Sequence, residues 1–142
     1  MRRRKRDKLK PLVHDASKNI NSFVPELLAR ANANIQIGQA DKAEFICREI
    51  LANVPRQPDA LHMLGVIAHS YGRLDDAIDC LRQACLSPAA PGLYWSNLAE
   101  MYRQRGLLFE GEIAARKAIA LNPQLSSAWI NLGIILLDIG KY

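Results

Sequence analysis

Cysteine and histidine are the residue types in this chain that are best suited to catalysis or metal binding. An enzyme would need a nucleophile, a base and an orienting group that converge on one site. Cys47, Cys80 and Cys85 lie at or beside apolar positions of predicted helices, where cysteine behaves as a small hydrophobic residue. His62 and His69 are seven residues apart, about 10 Å along a helix axis, whereas paired metal ligands on a helix favour the i, i+4 spacing. We therefore predict no catalytic residue, no metal site and no cofactor.

Adjacent carboxylates at Asp75 and Asp76 are a second candidate for acid–base chemistry. Both fall where a helix is predicted to begin. The first is placed to cap that helix, and the second lies in its first turn, where an acidic side chain interacts favourably with the helix dipole. We interpret the pair as structural and predict that the chain is not an enzyme.

The positive charge of the chain is concentrated at its start. Residues 1–10 contain seven of the 19 basic residues and one of the 14 acidic ones, so the remaining residues, with 12 basic and 13 acidic side chains, are close to neutral. Such a basic run can bind nucleic acid, an anionic surface or a nuclear import receptor. No aromatic residue is interleaved within residues 2–10 to stack on bases. We expect residues 1–23 to form a disordered leader. Binding of residues 2–10 to one of these partners stays open as an alternative.

Three features bear on where the protein works. The cysteines are odd in number and have no C-x-x-C spacing, which favours reduced thiols. The segment PLVHDASKNINS after the basic run has neither the apolar stretch nor the small-residue cleavage site of a secretory signal. The longest apolar stretch, residues 129–137, is too short to span a bilayer. We expect a soluble, cytoplasmic protein.

A period of 34 residues organises the rest of the chain. Glycine recurs with this period at Gly38, Gly72, Gly106 and Gly140, and a fixed period of this length is typical of a solenoid. Apolar residues recur at three- and four-residue steps on both sides of each glycine, which predicts two amphipathic helices joined by a short turn. The glycine is expected to end the first helix in a left-handed conformation, and Asp41 or Asp75 to cap the second. Phe109 replaces this Asp in the third unit, so that helix start is expected to be less well defined.

The third unit carries the residues of a known repeat. It reads W-x-x-L-A-x-x-Y from Trp95 to Tyr102, followed by Gly106 and a closing Pro123. In this pattern the chain resembles the tetratricopeptide-repeat (TPR) family. The resemblance implies an all-α fold, a right-handed superhelix of helix-turn-helix units, with three full repeats and the first helix of a fourth. We predict TPR units at residues 24–57, 58–91, 92–125 and 126–142.

The resemblance also implies a binding surface, because in TPR proteins the first helix of each unit lines a concave groove. The peptide-groove residues carried over to this chain are Asn32, His62, Val66, His69, Asn97, Glu100, Arg103 and Asn131. Asn97 and Asn131 occupy the same repeat position, which is similar to the asparagine ladder in the TPR region of O-linked N-acetylglucosamine (O-GlcNAc) transferases and related bacterial glycosyltransferases. Each amide offers a donor and an acceptor to an extended peptide. Alternatively, these side chains bond to neighbouring helices and tie the repeats together.

We therefore expect a non-catalytic protein–protein interaction scaffold that binds an extended peptide or a partner protein. The alternative is the N-terminal, substrate-recruiting TPR part of a larger O-GlcNAc transferase-like glycosyltransferase. Close helix contacts are predicted at Gly65 and Ala99, where small residues recur with the repeat. From Ala128 to Ile139 only Asn131 and Asp138 are polar, so apolar residues surround the last helix, and we predict self-association through it.

Overall fold

The computed structural model describes residues 20–141, which contain seven α-helices and no strand. The helices, in chain order, are α1 (Ile20–Gln36), α2 (Ala40–Asn53), α3 (Pro58–Ser70), α4 (Leu74–Cys85), α5 (Gly92–Arg105), α6 (Leu108–Leu121) and α7 (Ser126–Gly140). The predicted all-α fold of helix-turn-helix units is confirmed. α1 begins within the predicted leader, and the basic residues 2–10 with their proposed partners lie outside the described residues. None of the helices in residues 20–141 has the length and apolarity needed to cross a membrane.

The described residues form two compact units that meet in sequence between Pro55 and Arg56. In the first unit α2 packs against α1. In the second, α3 packs against α4, α4 against α5, and α5 against α6, while α7 packs against both α5 and α6. The second unit therefore contains three first helices of the repeat, α3, α5 and α7.

Glycine ends the first helix at three of the four predicted turns. Gly38, Gly72 and Gly106 have φ values of 76°, 76° and 83°, in the left-handed region that only glycine adopts without strain. The residue after each one donates its N–H to a carbonyl five residues back, at 2.8–2.9 Å, which is the Schellman pattern. Gly140 differs, because α7 includes it and the next N–H, from Lys141, bonds to the carbonyl of Asp138 only three residues back. The left-handed turn predicted at Gly140 is therefore wrong.

The predicted helix caps are also wrong. The N-cap residues of α2 and α4 are Gln39 and Arg73, so Asp41 and Asp75 lie inside the first turn. The Schellman bond explains the difference, because it closes the turn at the residue after the glycine and the second helix starts at once. The less well defined start expected for α6 at Phe109 is not seen either. α6 begins at Leu108, the repeat equivalent of Leu74 in α4.

The close contacts predicted at small residues are present. A Cβ atom added to Gly65 would lie 2.9 Å from Cγ of Leu81 and 3.2 Å from the carbonyl oxygen of Ala77. Ala99 is fully buried, and its carbonyl oxygen would lie 3.3 Å from a Cβ on Gly111. Small residues therefore set how closely α3 approaches α4 and how closely α5 approaches α6, which fixes the positions of the first helices that carry the candidate site.

Candidate functional site

The predicted groove residues of the second unit lie on its three first helices. We call this surface the first-helix face and define it by His62, Val66 and His69 on α3, Asn97, Glu100 and Arg103 on α5, and Asn131 on α7. All seven are half-buried, so their side chains contact neighbours and still reach the surface. The eighth predicted residue, Asn32, is exposed on α1 and belongs to the first unit.

Asn97 is bonded to the preceding first helix. Its Nδ2–H donates to Nε2 of His62 at 2.9 Å. The imidazole of His62 stacks on the ring of Tyr94, with centroids 4.0 Å apart and an interplanar angle of 8°. Burial lowers the pKa of His62 to about 4, against a smaller raising effect of the Asp59 carboxylate. At neutral pH the imidazole is therefore uncharged, which leaves Nε2 free to accept the Asn97 hydrogen bond.

Asn131 makes the equivalent contact one repeat later. Its Nδ2 lies 3.0 Å from the carbonyl oxygen and 3.2 Å from Oγ of Ser96 on α5. Ser96 is fully buried, and its Oγ is also 3.0 Å from Oγ of Ser127. In both cases the asparagine bonds to the residue 35 positions earlier. The reading in which these side chains tie neighbouring first helices together is therefore correct for their N–H groups.

The amide oxygens of Asn97 and Asn131 take no part in these bonds between helices. Within residues 20–141, neither Oδ1 of Asn97 nor Oδ1 of Asn131 has a hydrogen-bond partner. Neither oxygen is a buried, unsatisfied atom, so both are accessible to solvent. The first-helix face thus carries two available acceptors at one repeat position, on adjacent first helices.

A second polar network lies nearer the C-terminal ends of α3 and α5. Nε2–H of His69 donates to Oε1 of Gln104 at 2.8 Å, and Nε2–H of Gln104 donates to Oε1 of Glu100 at 2.8 Å. Arg103 donates two hydrogen bonds to Glu100, at 3.0 and 2.7 Å, and lies 3.8 Å from Asp138 on α7. Hydrogen bonding to the guanidinium lowers the pKa of the Glu100 carboxyl. Arg103 is therefore already matched by two carboxylates.

Asp59, Tyr94 and Gln104 take part in these networks and were not identified from the sequence. The hydroxyl of Tyr94 donates to Asp59, again across 35 residues. The signal that could have found them is this offset of one repeat plus one residue, which also relates His69 to Gln104. Most of the polar pairs that meet between first helices of this unit are thus separated by 35 positions.

Two of the three cysteines are placed for packing. Cys47 is fully buried, and Cys85 is 7% exposed. Burial raises the pKa of the Cys47 thiol to about 11 and that of Cys85 to about 12, so both thiols stay protonated at neutral pH and are poor nucleophiles. Across residues 20–141 no three His, Cys, Asp or Glu side chains cluster in a way that could hold a metal ion. That the protein has no catalytic or metal site stays a prediction.

Comparison with known proteins identifies the repeat. The family described as Tetratricopeptide repeat matches residues 58–88, which contain α3 and α4. No curated protein matches the chain. The relationship to known proteins therefore rests on this one matched repeat and on the similarity of folds.

Several solved structures share the fold. An O-GlcNAc transferase mutant from Thermobaculum terrenum is 24% identical with a TM-score of 0.76, over 83% of this chain and 23% of that chain. YrrB, described as a TPR protein with an unusual peptide-binding site, is 16% identical with a TM-score of 0.77, over 91% of this chain and 66% of that one. The Yersinia enterocolitica type III secretion chaperone SycD, in complex with a peptide of the translocator YopD, is 18% identical with a TM-score of 0.73, over 82% and 95%. The chain thus spans about a quarter of the transferase and two thirds of YrrB.

Proposed function

We propose that this chain, a tetratricopeptide-repeat protein, is a non-catalytic scaffold that binds a partner protein through an extended peptide segment on the first-helix face. Two proteins of the same fold support a peptide ligand: YrrB is described as having a peptide-binding site, and SycD was solved with a bound peptide. The proposal includes a cytoplasmic location, which is supported by the number and spacing of the cysteines.

The observation that carries the proposal is the pair of available amide oxygens at Asn97 and Asn131. They recur at one repeat position on α5 and α7, so an extended strand lying across these helices can donate a backbone N–H to each. A peptide N–H that is buried without a partner costs about 1 to 3 kcal/mol. Because each asparagine N–H is held by the preceding helix, each oxygen is oriented before the peptide arrives, which reduces the entropic cost of binding.

The charges of the first-helix face argue against recognition of acidic side chains of the peptide. Arg103 is paired with Glu100 and lies close to Asp138, and the pKa of Glu100 is lowered by that pairing. An acidic side chain of a ligand would have to compete with two carboxylates for the one guanidinium. We therefore expect recognition of the peptide main chain and of apolar side chains, with little dependence on acidic residues of the ligand.

The test starts with a pull-down that uses the whole chain as bait. Binding of the peptide so identified is then measured for the Asn97→Ala, Asn131→Ala double variant. We expect a loss of affinity of about 10- to 100-fold, equivalent to about 1 to 3 kcal/mol, while circular dichroism shows that the helices are retained. Asn53→Ala, which removes an exposed asparagine that bonds only within α2, is the matched control and should leave the affinity unchanged.

A second double variant separates the amide oxygens from the amide N–H groups. Asn97→Asp with Asn131→Asp keeps an acceptor at each position and removes the donor that ties the helices. We expect this variant to lose stability. When the two variants are compared at the same fraction of folded protein, it should bind the peptide better than the alanine double variant. Equal binding by the alanine double variant and the wild type, or a loss of binding only when residues 2–10 are deleted, would contradict the proposal.

A second candidate is the substrate-recruiting TPR part of a larger O-GlcNAc transferase-like glycosyltransferase. It is favoured by the transferase fold neighbour together with the two asparagines at one repeat position. The test is the genomic reading frame beyond Tyr142. More repeats followed by a nucleotide-sugar-binding domain would establish this candidate, and a stop codon would exclude it.

A further inference from the structure

A cavity of about 320 Å³ opens between α4 and α5, inside the second unit. It is lined by Trp95, Leu98 and Tyr102 on α5 and, across from them, by α4 and the exposed Leu86 that follows it. The three α5 residues follow the i, i+3, i+7 spacing that places side chains on one side of a helix. At about 100° per residue, they lie opposite to the residues that α5 contributes to the first-helix face. The cavity is therefore separate from the proposed peptide site.

Three hydrogen-bond donors at this cavity have no partner in the part of the chain that the structure describes. Trp95 and Tyr102 are half-buried, yet neither the indole N–H of Trp95 nor the hydroxyl of Tyr102 makes a hydrogen bond there, and the Arg82 guanidinium makes no ion pair. None of these atoms is buried without a partner, so each one is accessible from solvent. The cavity thus combines aromatic and aliphatic surface with donors that are available to a ligand.

The repeat explains why the Trp95 N–H is available. Trp129, its equivalent one repeat later, donates its indole N–H to the carbonyl oxygen of Pro123 at 2.9 Å. Pro123 lies in the segment of four residues that joins α6 to α7, whereas six residues join α4 to α5. No carbonyl of this longer segment accepts a bond from Trp95. The same tryptophan is therefore bonded within the protein in one unit and keeps its donor for a ligand in the other.

We infer that this cavity binds a proline-rich segment of a partner protein in the polyproline II conformation. Trp95 and Tyr102 are seven residues apart, about 10 Å along the axis of α5, and one turn of a polyproline II helix rises about 9 Å. Prolines three residues apart can therefore each pack on one aromatic ring. The carbonyl groups of such a segment have no internal hydrogen bonds, so they can accept from the donors of the cavity. An α-helical ligand would instead present carbonyls that are already bonded.

The charges at one end of the cavity favour a basic residue beside the prolines. Arg105, at the end of α5, donates to Asp75, at the start of α4, at 2.8 Å, so the two helices run antiparallel. Asp79 lies one turn further along α4 and is therefore at the Tyr102 end of the cavity. Its carboxylate has no ion-pair partner within residues 20–141. An arginine or lysine next to the prolines would pair with it, which makes the expected ligand proline-rich and basic.

NMR titration of the whole isotope-labelled chain with a polyproline peptide of about ten residues, with one arginine at each end, tests the inference. The chain has two tryptophans. The indole N–H signal of Trp95 should move downfield as it donates to the peptide, while that of Trp129 stays in place. A peptide of the same length and charge with glycine and serine instead of proline should bind about tenfold more weakly or worse, because it has no rings to pack and loses more conformational freedom on binding.

Variants of the two tryptophans separate the donor from the ring. Trp95→Phe keeps an aromatic ring and removes the N–H, and should weaken binding about tenfold. Trp129→Phe is the matched control, because its N–H is bonded to the Pro123 carbonyl, and should leave the affinity unchanged. Asp79→Asn should weaken binding about threefold and reduce its dependence on salt. Melting curves confirm that each variant is folded before affinities are compared.

Four results would overturn the inference. One is a Trp95 signal that the polyproline peptide leaves in place up to about 2 mM. Another is equal binding by Trp95→Phe and the wild type, or an equal loss in Trp129→Phe. The third is a loss of binding in the Asn97→Ala, Asn131→Ala double variant, which would place the peptide on the first-helix face. The fourth is displacement of the peptide by a synthetic peptide of residues 1–19, which would make the chain's own start the occupant of the cavity instead of a partner.

Discussion

Replacing Gly65 with alanine is expected to destabilise the second unit, whereas the same change at Gly133 is expected to stabilise it. The two glycines occupy one repeat position in α3 and α7. At Gly65 the new Cβ would lie 2.9 Å from Leu81 Cγ and 3.2 Å from the Ala77 carbonyl oxygen, whereas at Gly133 no neighbouring atom lies within 4 Å. The two sites are thus matched in repeat position and in secondary structure, and they differ in the neighbouring atoms that a new Cβ would meet.

The sizes of the two effects follow from these contacts. Alanine in place of glycine inside a helix contributes about 0.5 to 1 kcal/mol, and this gain is common to both sites. Overpacking costs about 1 to 3 kcal/mol, and it applies only at Gly65, because Leu81 is fully buried and the other contact is main chain. We expect Gly133→Ala to raise the free energy of unfolding by up to about 1 kcal/mol. The two variants should differ by about 1 to 3 kcal/mol.

Urea denaturation of the wild type and both variants measures these differences, with each protein held at a concentration where sedimentation shows a monomer, so that self-association does not enter. An unchanged m-value shows that the midpoint shift reports stability alone. If the two variants shift the midpoint equally and in the same direction, the close approach of α3 to α4 is not what Gly65 provides, and the packing argument fails.

Two further predictions concern α3. Stability should fall as the pH drops from about 6.5 to about 4. In the folded chain the pKa of His62 is lowered to about 4, so over this range His62 takes up a proton in the unfolded chain and not in the folded one. The loss in the free energy of unfolding should be at most about 3 kcal/mol. Denaturation curves of His62→Phe, which keeps an aromatic ring beside Tyr94, should lack this part of the pH dependence, and an identical pH profile in wild type and variant would count against it. Gln57→Ala should cost about 0.5 to 2 kcal/mol, because the Gln57 side chain caps α3 by accepting from Ala60 N–H at 2.7 Å. Gln39→Ala at the α2 N-cap, which makes no side-chain cap bond, should have no such effect in thermal melts.

The helices and turns of the described residues follow from local sequence to a large extent. The 34-residue period placed a glycine at three turns where a positive φ is required, and the apolar spacing gave the two helices of each unit. The caps were misplaced by about two residues because the turn is closed by a main-chain bond from the residue after the glycine. A side chain such as Asp75 then has no cap to make and instead accepts a hydrogen bond from Arg105.

The candidate site was predictable in position but not in chemistry. The repeat register identifies which residues share the first-helix face, because that depends only on helix periodicity. The register does not show which of their polar atoms already have a hydrogen-bond or ion-pair partner within the protein. Arg103 is a cation in the sequence but is matched in the structure by Glu100 on its own helix and by Asp138 on α7. The contact with Asp138 depends on how far one first helix is displaced from the next.

The two interpretations of the asparagines, as ties between helices and as acceptors for a ligand, are compatible. An amide is planar, so once its N–H is bonded to the preceding first helix, the direction of its oxygen is set. The bond from Asn97 to His62, and that from Asn131 to Ser96, therefore tie the helices and also set the direction of the two oxygens that we propose as acceptors for a ligand. Alanine at these positions removes both properties together, so a loss of stability on that change does not count against a binding role. Only a side chain that keeps the oxygen and lacks the donor distinguishes the contribution to folding from the contribution to binding.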